Sequence, residues 1–200
     1  MERLEQVLVF IPVLLVSVVL HEVAHGWVAR TQGDHTAERA GRLTLNPVPH
    51  IDVMGSIIVP AILLMMPGGL IFGWAKPVPV NPANYRDYRK GDILVSLAGI
   101  AVNLLLVPLF ILLMALGVWG TRAVPDMAGV FGALATAGGL GILLNLILAV
   151  FNLLPIPPLD GSHVLYHLLP ASVRDDYQRL GRYGLGILLV LVFLVPGALS

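Results

Sequence analysis

Residues 6–30 read QVLVFIPVLLVSVVLHEVAHGWVAR. Nothing from Val7 to Leu20 is charged, and His21, Glu22 and His25 then follow within five positions before apolar character resumes toward Arg30. A stretch of this length matches the roughly 20 residues that a helix needs to cross a bilayer. Ionisable side chains inside such a helix cost about 2.5–3.5 kcal/mol each by insertion scales, so they are rarely kept without a function. A polar hydrogen-bonded cluster between helices is the plain alternative.

The whole chain carries the same signature. Of its 200 residues 57% are hydrophobic and 12% charged, and mean hydropathy is +0.87. Soluble domains carry about 25% charged residues, so this chain lacks the polar surface to cover a water-soluble particle and reads as a membrane protein. Its formal net charge of zero gives no sign of a nucleic-acid partner. With no cysteine, disulfides, thiolate nucleophiles and Cys-bound zinc are excluded, and any metal must rest on His, Asp or Glu. Met1–Leu20 has no small-residue cleavage site and is expected to be a retained helix.

Four segments are expected to span the membrane: 6–30, 93–119, 127–154 and 183–195. A fifth apolar stretch, Met54–Trp74, is interrupted by Pro60, Pro67, Gly68 and Gly69. Charge asymmetry favours a re-entrant excursion for it. In that topology ten of the twelve Lys and Arg lie on one side, with Arg3 and Arg122 opposite; a full crossing splits them eight to four. Arg42–Leu45, which alternates in polarity, and Lys76–Val80, where each proline holds its predecessor extended, read as short strands at the membrane surface. The expectation is therefore one domain over residues 1–200: a membrane all-α bundle of about four transmembrane helices with a re-entrant segment and a small membrane-associated β-sheet.

His21-Glu22-Val23-Ala24-His25 is an H-E-x-x-H pattern. On a helix its histidines share one face about 6 Å apart, suited to one zinc, and Glu22 beside them can take a proton from water. A catalytic zinc site needs a third protein ligand. Candidates are His35, His50, Asp52 and Asp160, with His163 as a rival. Asp160 sits in Asn152-Leu-Leu-Pro155-Ile-Pro157-Pro158-Leu-Asp160-Gly161, where prolines break a helix. Irregular backbone at membrane depth is tolerated where it lines a cavity. Asn103 and Asn145, inside apolar helices, read as bonds between helices.

Together, HEVAH and NLLPIPPLDG resemble the site-2 protease family of intramembrane metalloproteases, in its short type without PDZ or CBS domains. Gly41-RLTLNP-Val48, His50-Ile-Asp52, Phe72-GWAKPVPVNP-Ala83 and Ser96-LAG-Gly99 extend the likeness. The chain departs from the family pattern at Ile100, where proline is common, and at Ser162-His163, where a basic residue often follows. The resemblance implies one zinc held by His21, His25 and Asp160, with Glu22 as general base, in a multi-pass protein of the cell membrane whose site lies nearer the cytoplasmic side. The depth agrees, since Arg30 is about 14 Å of helix beyond His21. It also implies cleavage of transmembrane segments of other proteins. Asn152 would position the substrate, and the edge strand carrying Val78 and Val80 would hold it extended. An ion transporter is the competing class, but the second and fourth expected spans carry no ionisable residue well inside.

Overall fold

A computed structural model describes residues 2–59, 62 and 75–194, with the side chains of 2–7, 56, 57, 185 and 187–194 left aside. In chain order come α1 (Glu2–Thr31), α2 (Thr36–Arg39), a 3-10 turn (Val48–His50), a π-helical turn (Val53–Ile58), a second 3-10 turn (Pro82–Asn84) and α3 (Tyr88–Ala123). A third 3-10 turn (Pro125–Met127) leads into α4 (Ala128–Leu153), followed by α5 (Asp160–Leu168) and α6 (Ala171–Leu194).

Among the described residues three helices are long and apolar enough to cross a membrane: Leu8–Thr31, Tyr88–Ala123 and Pro125–Leu153. The second begins five residues before the apolar run does. Asp87 caps it, accepting a hydrogen bond from the Lys90 N–H at 2.9 Å, which satisfies a donor that the first helical turn leaves unpaired. At 36 residues α3 is about 54 Å long, more than the roughly 30 Å hydrocarbon core. Its charged first turn therefore projects beyond the lipid.

A tight connection returns α4 antiparallel to α3. The approach is close: a Cβ on Gly138 would lie 2.5 Å from the Met114 backbone nitrogen, so a small residue sets the spacing, as is usual between membrane helices. α1 packs against this pair through Val13, Leu106 and Phe110, with Leu20, Val102 and Ile142 around them. Polarity is inverted relative to a soluble bundle. Leu105, Leu109 and Trp119 of α3 and Leu143 and Val150 of α4 are exposed, whereas Ser17, Asn103 and Asn145 are fully buried. Water does not reward that distribution; lipid does. The chain is a helical membrane protein.

Beyond α1 the chain turns on Asp34, which is fully buried. Its carboxylate accepts from Thr36, from the Asn81 N–H at 2.6 Å and from Asn84 Nδ2 at 2.8 Å. Burial alone would raise its pKa, but these hydrogen bonds outweigh burial and hold it below the usual carboxylate range. They fasten residues 81–84 beneath the end of α1.

Two expectations are corrected. No β-strand occurs among the described residues, so the proposed sheet is absent. Residues 43–45 form bends, and residues 76–80 adopt no regular secondary structure. Several backbone groups of the second segment are already engaged. The Lys76 N–H donates to His50 O at 2.8 Å, and Arg42 donates to the carbonyls of Lys76 and Pro77 at 2.8 and 3.3 Å. The Val78 N–H donates to Glu22, while Pro77 and Pro79 have no N–H to give. Tertiary bonds have taken the place of a ladder. The second correction is the span count: among the described residues three helices, not four, are long and apolar enough to cross a membrane. Of the fourth expected span, 183–195, residues 183–194 are the last turns of α6 and residue 195 lies outside the described residues. Of the expected re-entrant stretch Met54–Trp74, residues 54–58 belong to the π-helical turn Val53–Ile58, and residues 60, 61 and 63–74 lie outside the described residues.

Candidate metal centre

His21 and His25 occupy successive turns of one face of α1, and Asp160 opens α5. Their ligand atoms converge: His21 Nε2 lies 3.0 Å from His25 Nε2, and Asp160 Oδ2 lies 3.3 and 3.4 Å from the two nitrogens. These three form the group able to hold a metal ion among the described residues. Tetrahedral zinc with bonds of 2.0–2.1 Å separates its ligand atoms by about 3.3 Å, so the triangle is close to the right size.

The surrounding hydrogen bonds decide what these atoms are. The Gly141 carbonyl can only accept, so the Asn145 amide must turn its Nδ2 toward it, at 2.8 Å, and the same Nδ2 donates to Ser17 Oγ at 2.8 Å. Asn145 Oδ1 then accepts from Asn103 Nδ2 at 2.7 Å, which leaves Asn103 Oδ1 to accept from His21 Nδ1 at 2.6 Å. His25 Nδ1 likewise donates to the Val95 carbonyl at 2.7 Å. In each neutral ring the proton is on Nδ1 and Nε2 carries a lone pair. Two lone pairs and a carboxylate oxygen thus face one point, and Asp160 Oδ2 is shielded from solvent with no hydrogen-bond donor. Acceptors so arranged repel one another unless a cation lies between them. The residues fit a divalent metal.

Two glycines make the convergence possible. A Cβ at Gly99 would lie 2.6 Å from the Nε2 of both histidines. One at Gly161 would collide with the Leu153 carbonyl, so this glycine serves close approach of α5 to the end of α4. Flexibility is not its function there.

Glu22 sits between the histidines in sequence, and its Oε2 accepts from the Val78 N–H at 2.7 Å. Val78 is buried and Val80 exposed. Asn152 Nδ2 donates to the Leu148 carbonyl at 3.0 Å, which fixes how its amide faces. The other candidates lie elsewhere. His50 is buried with Nε2 on the Thr44 carbonyl at 3.0 Å, Asp52 caps the π-helical turn through the Gly55 N–H, and His35 pairs with Glu38. His163 contacts Asp92 and is not one of the three converging residues.

Sequence reasoning did not foresee that Asn103 would hold a histidine of this group, nor that Ser17 and Asn145 would brace it. The available signal was position: Ser17 lies one turn before His21 on the same face, inside an otherwise apolar run. Asn103→Ala should leave the helices intact and lower zinc affinity about 10–100-fold, the usual effect of losing a hydrogen bond to a ligand histidine. Chelator competition on the purified protein measures it, and unchanged affinity would assign Asn103 to helix packing alone.

Fold and site together define a membrane protein with a His-His-Asp group able to hold a metal ion, beside a glutamate. The profile of peptidase family M50 matches residues 128–195. Three similar proteins are each named "Putative zinc metalloprotease". YwhC of Bacillus subtilis (strain 168) is 41% identical, the match covering 92% of this chain and 78% of that protein. Rip2 of Mycolicibacterium smegmatis is 35% identical, covering 93% and 66%. MJ0611 of Methanocaldococcus jannaschii is 32% identical, covering 80% and 71%. No solved structure matches the chain. The chain belongs to peptidase family M50 and is a zinc metalloprotease.

Proposed function

We propose that this protein hydrolyses peptide bonds within transmembrane segments of other membrane proteins, with one zinc held by His21, His25 and Asp160 and Glu22 as general base. The convergence of three acceptor atoms among apolar helices, one helical position from Glu22, carries the reading. Bound zinc polarises a carbonyl and acidifies water. Glu22 takes the proton of the attacking water and passes it to the leaving amine. The Asn103 and Val95 oxygens hold both imidazoles with Nε2 turned inward, and the apolar helices limit access of bulk water.

A helical substrate hides its peptide bonds and must unwind first. In our reading its extended backbone lies along 78–80, with Val80 toward it and Asn152 orienting it. The test uses purified enzyme and a transmembrane-helix substrate reconstituted in vesicles. A glycine introduced near the scissile bond weakens the helix by about 1 kcal/mol and should speed cleavage up to about fivefold. Rates indifferent to substrate helicity, or efficient cleavage of soluble peptides with none of the transmembrane segment, would count against an intramembrane substrate.

A further inference from the structure

α3 supplies none of the three converging atoms, yet one of its faces touches the site repeatedly. Val95 receives His25, Gly99 makes room for both rings and Asn103 receives His21. Asp160, the remaining member, has no such bond to α3. One turn before this stretch, on the same face, stands Asp92, which is buried and bonded to neither histidine of the HEVAH motif. Its Oδ2 accepts from His167 Nε2 at 2.8 Å and from His163 Nδ1 at 3.2 Å. Both belong to α5, where Asp160, His163 and His167 follow at i, i+3 and i+7 and so form a single stripe.

Asp92 therefore grips the same stripe of α5 that ends in Asp160. His167 is as buried as Asp92, and a carboxylate bonded to imidazole in that setting makes a strong, directional contact. Tyr88 and Tyr166 pack edge-on against the His167 ring, at centroid distances of 5.2 and 5.1 Å, and narrow its freedom further. α5 is only nine residues long, so its rotation and its advance along its axis decide where the Asp160 carboxylate falls.

We propose that Asp92 is a positioning residue for the metal centre: through His167 and His163 it sets the placement of α5 and hence brings Asp160 into register with His21 and His25. The proposal rests on the reading of Asp160 as third ligand, and the experiment separates the two. Zinc affinity is measured by chelator competition on full-length protein in detergent. The variants are Asp92→Ala, Asp92→Asn, Asp160→Ala and the double variant Asp92→Ala/Asp160→Ala, with helical content followed by circular dichroism.

Asp92→Ala should weaken zinc binding about 10–100-fold, as loss of an outer partner of a ligand does. It should also shift the visible spectrum of the cobalt-substituted protein toward that of Asp160→Ala. Asp92→Asn keeps the shape and an oxygen that accepts from His167, and should recover most of the affinity. In the Asp160→Ala background, removing Asp92 should change the residual affinity by less than about twofold, because no carboxylate remains to be positioned. Wild-type affinity in both Asp92 variants, with zinc lost from Asp160→Ala, overturns the positioning role and leaves the ligand reading standing. An equal loss in both backgrounds also overturns it, since Asp92 would then act on the fold at large. Full zinc in Asp160→Ala overturns the ligand reading and the proposal with it.

Discussion

Glu22→Gln lowers kcat by about 10²–10⁴-fold, the usual contribution of a positioned general base, while zinc content and helicity stay at wild-type values. The substitution is isosteric, and the new amide oxygen can still accept the Val78 N–H that Glu22 Oε2 accepts at 2.7 Å, so the local packing survives. What is lost is a group able to take a proton. Because the proton moves only as the reaction proceeds, KM should change little and the loss should fall on kcat. Zinc analysis and single-turnover cleavage of a reconstituted substrate, on the same preparation, check both halves. If a tenth or more of wild-type turnover remained, Glu22 would be removed from the mechanism.

His21→Ala, His25→Ala and Asp160→Ala each reduce zinc binding to a weak residual affinity that does not survive dialysis, and activity falls with it. The expected loss exceeds the roughly 10–100-fold caused by deleting an outer hydrogen-bond partner, because a ligand itself is removed and two protein ligands do not make a catalytic zinc site. Asp160→Ala is the most telling of the three, since it leaves both imidazoles and their Asn103 and Val95 partners untouched. Metal stoichiometry after dialysis against a weak chelator measures the effect. Full occupancy in Asp160→Ala, with zinc lost from His163→Ala or Asp52→Ala, would move the third ligand elsewhere.

Much of this is legible in the sequence. Helical periodicity alone puts His21 and His25 on one face of an apolar helix, and the prolines before Asp160 announce that the third span must end there. The sheet was misread because prolines and alternating polarity specify an extended backbone without saying what it bonds to. In Lys76–Val80 the partners are His50, Arg42 and Glu22, all distant in sequence. The start of α3 was placed too late because apolarity marks where a helix meets lipid, whereas Asp87 marks where it is capped. Asn103 and Asn145 were recognised as bonds between helices, but the chain from Ser17 through both to His21 closes over 128 positions. Nothing local marks His167, in the last turn of α5. Its partner Asp92 lies 75 positions away, a pairing that no local pattern reveals.

The central claim is that two imidazoles and one carboxylate hold a single zinc among the membrane helices. X-ray absorption at the zinc edge of the purified protein tests it most directly. The account predicts outer-shell scattering from two imidazoles, a first shell of nitrogen and oxygen at about 2.0–2.2 Å, and loss of that spectrum in Asp160→Ala. A three-imidazole shell, or a spectrum unaltered by Asp160→Ala, would contradict it.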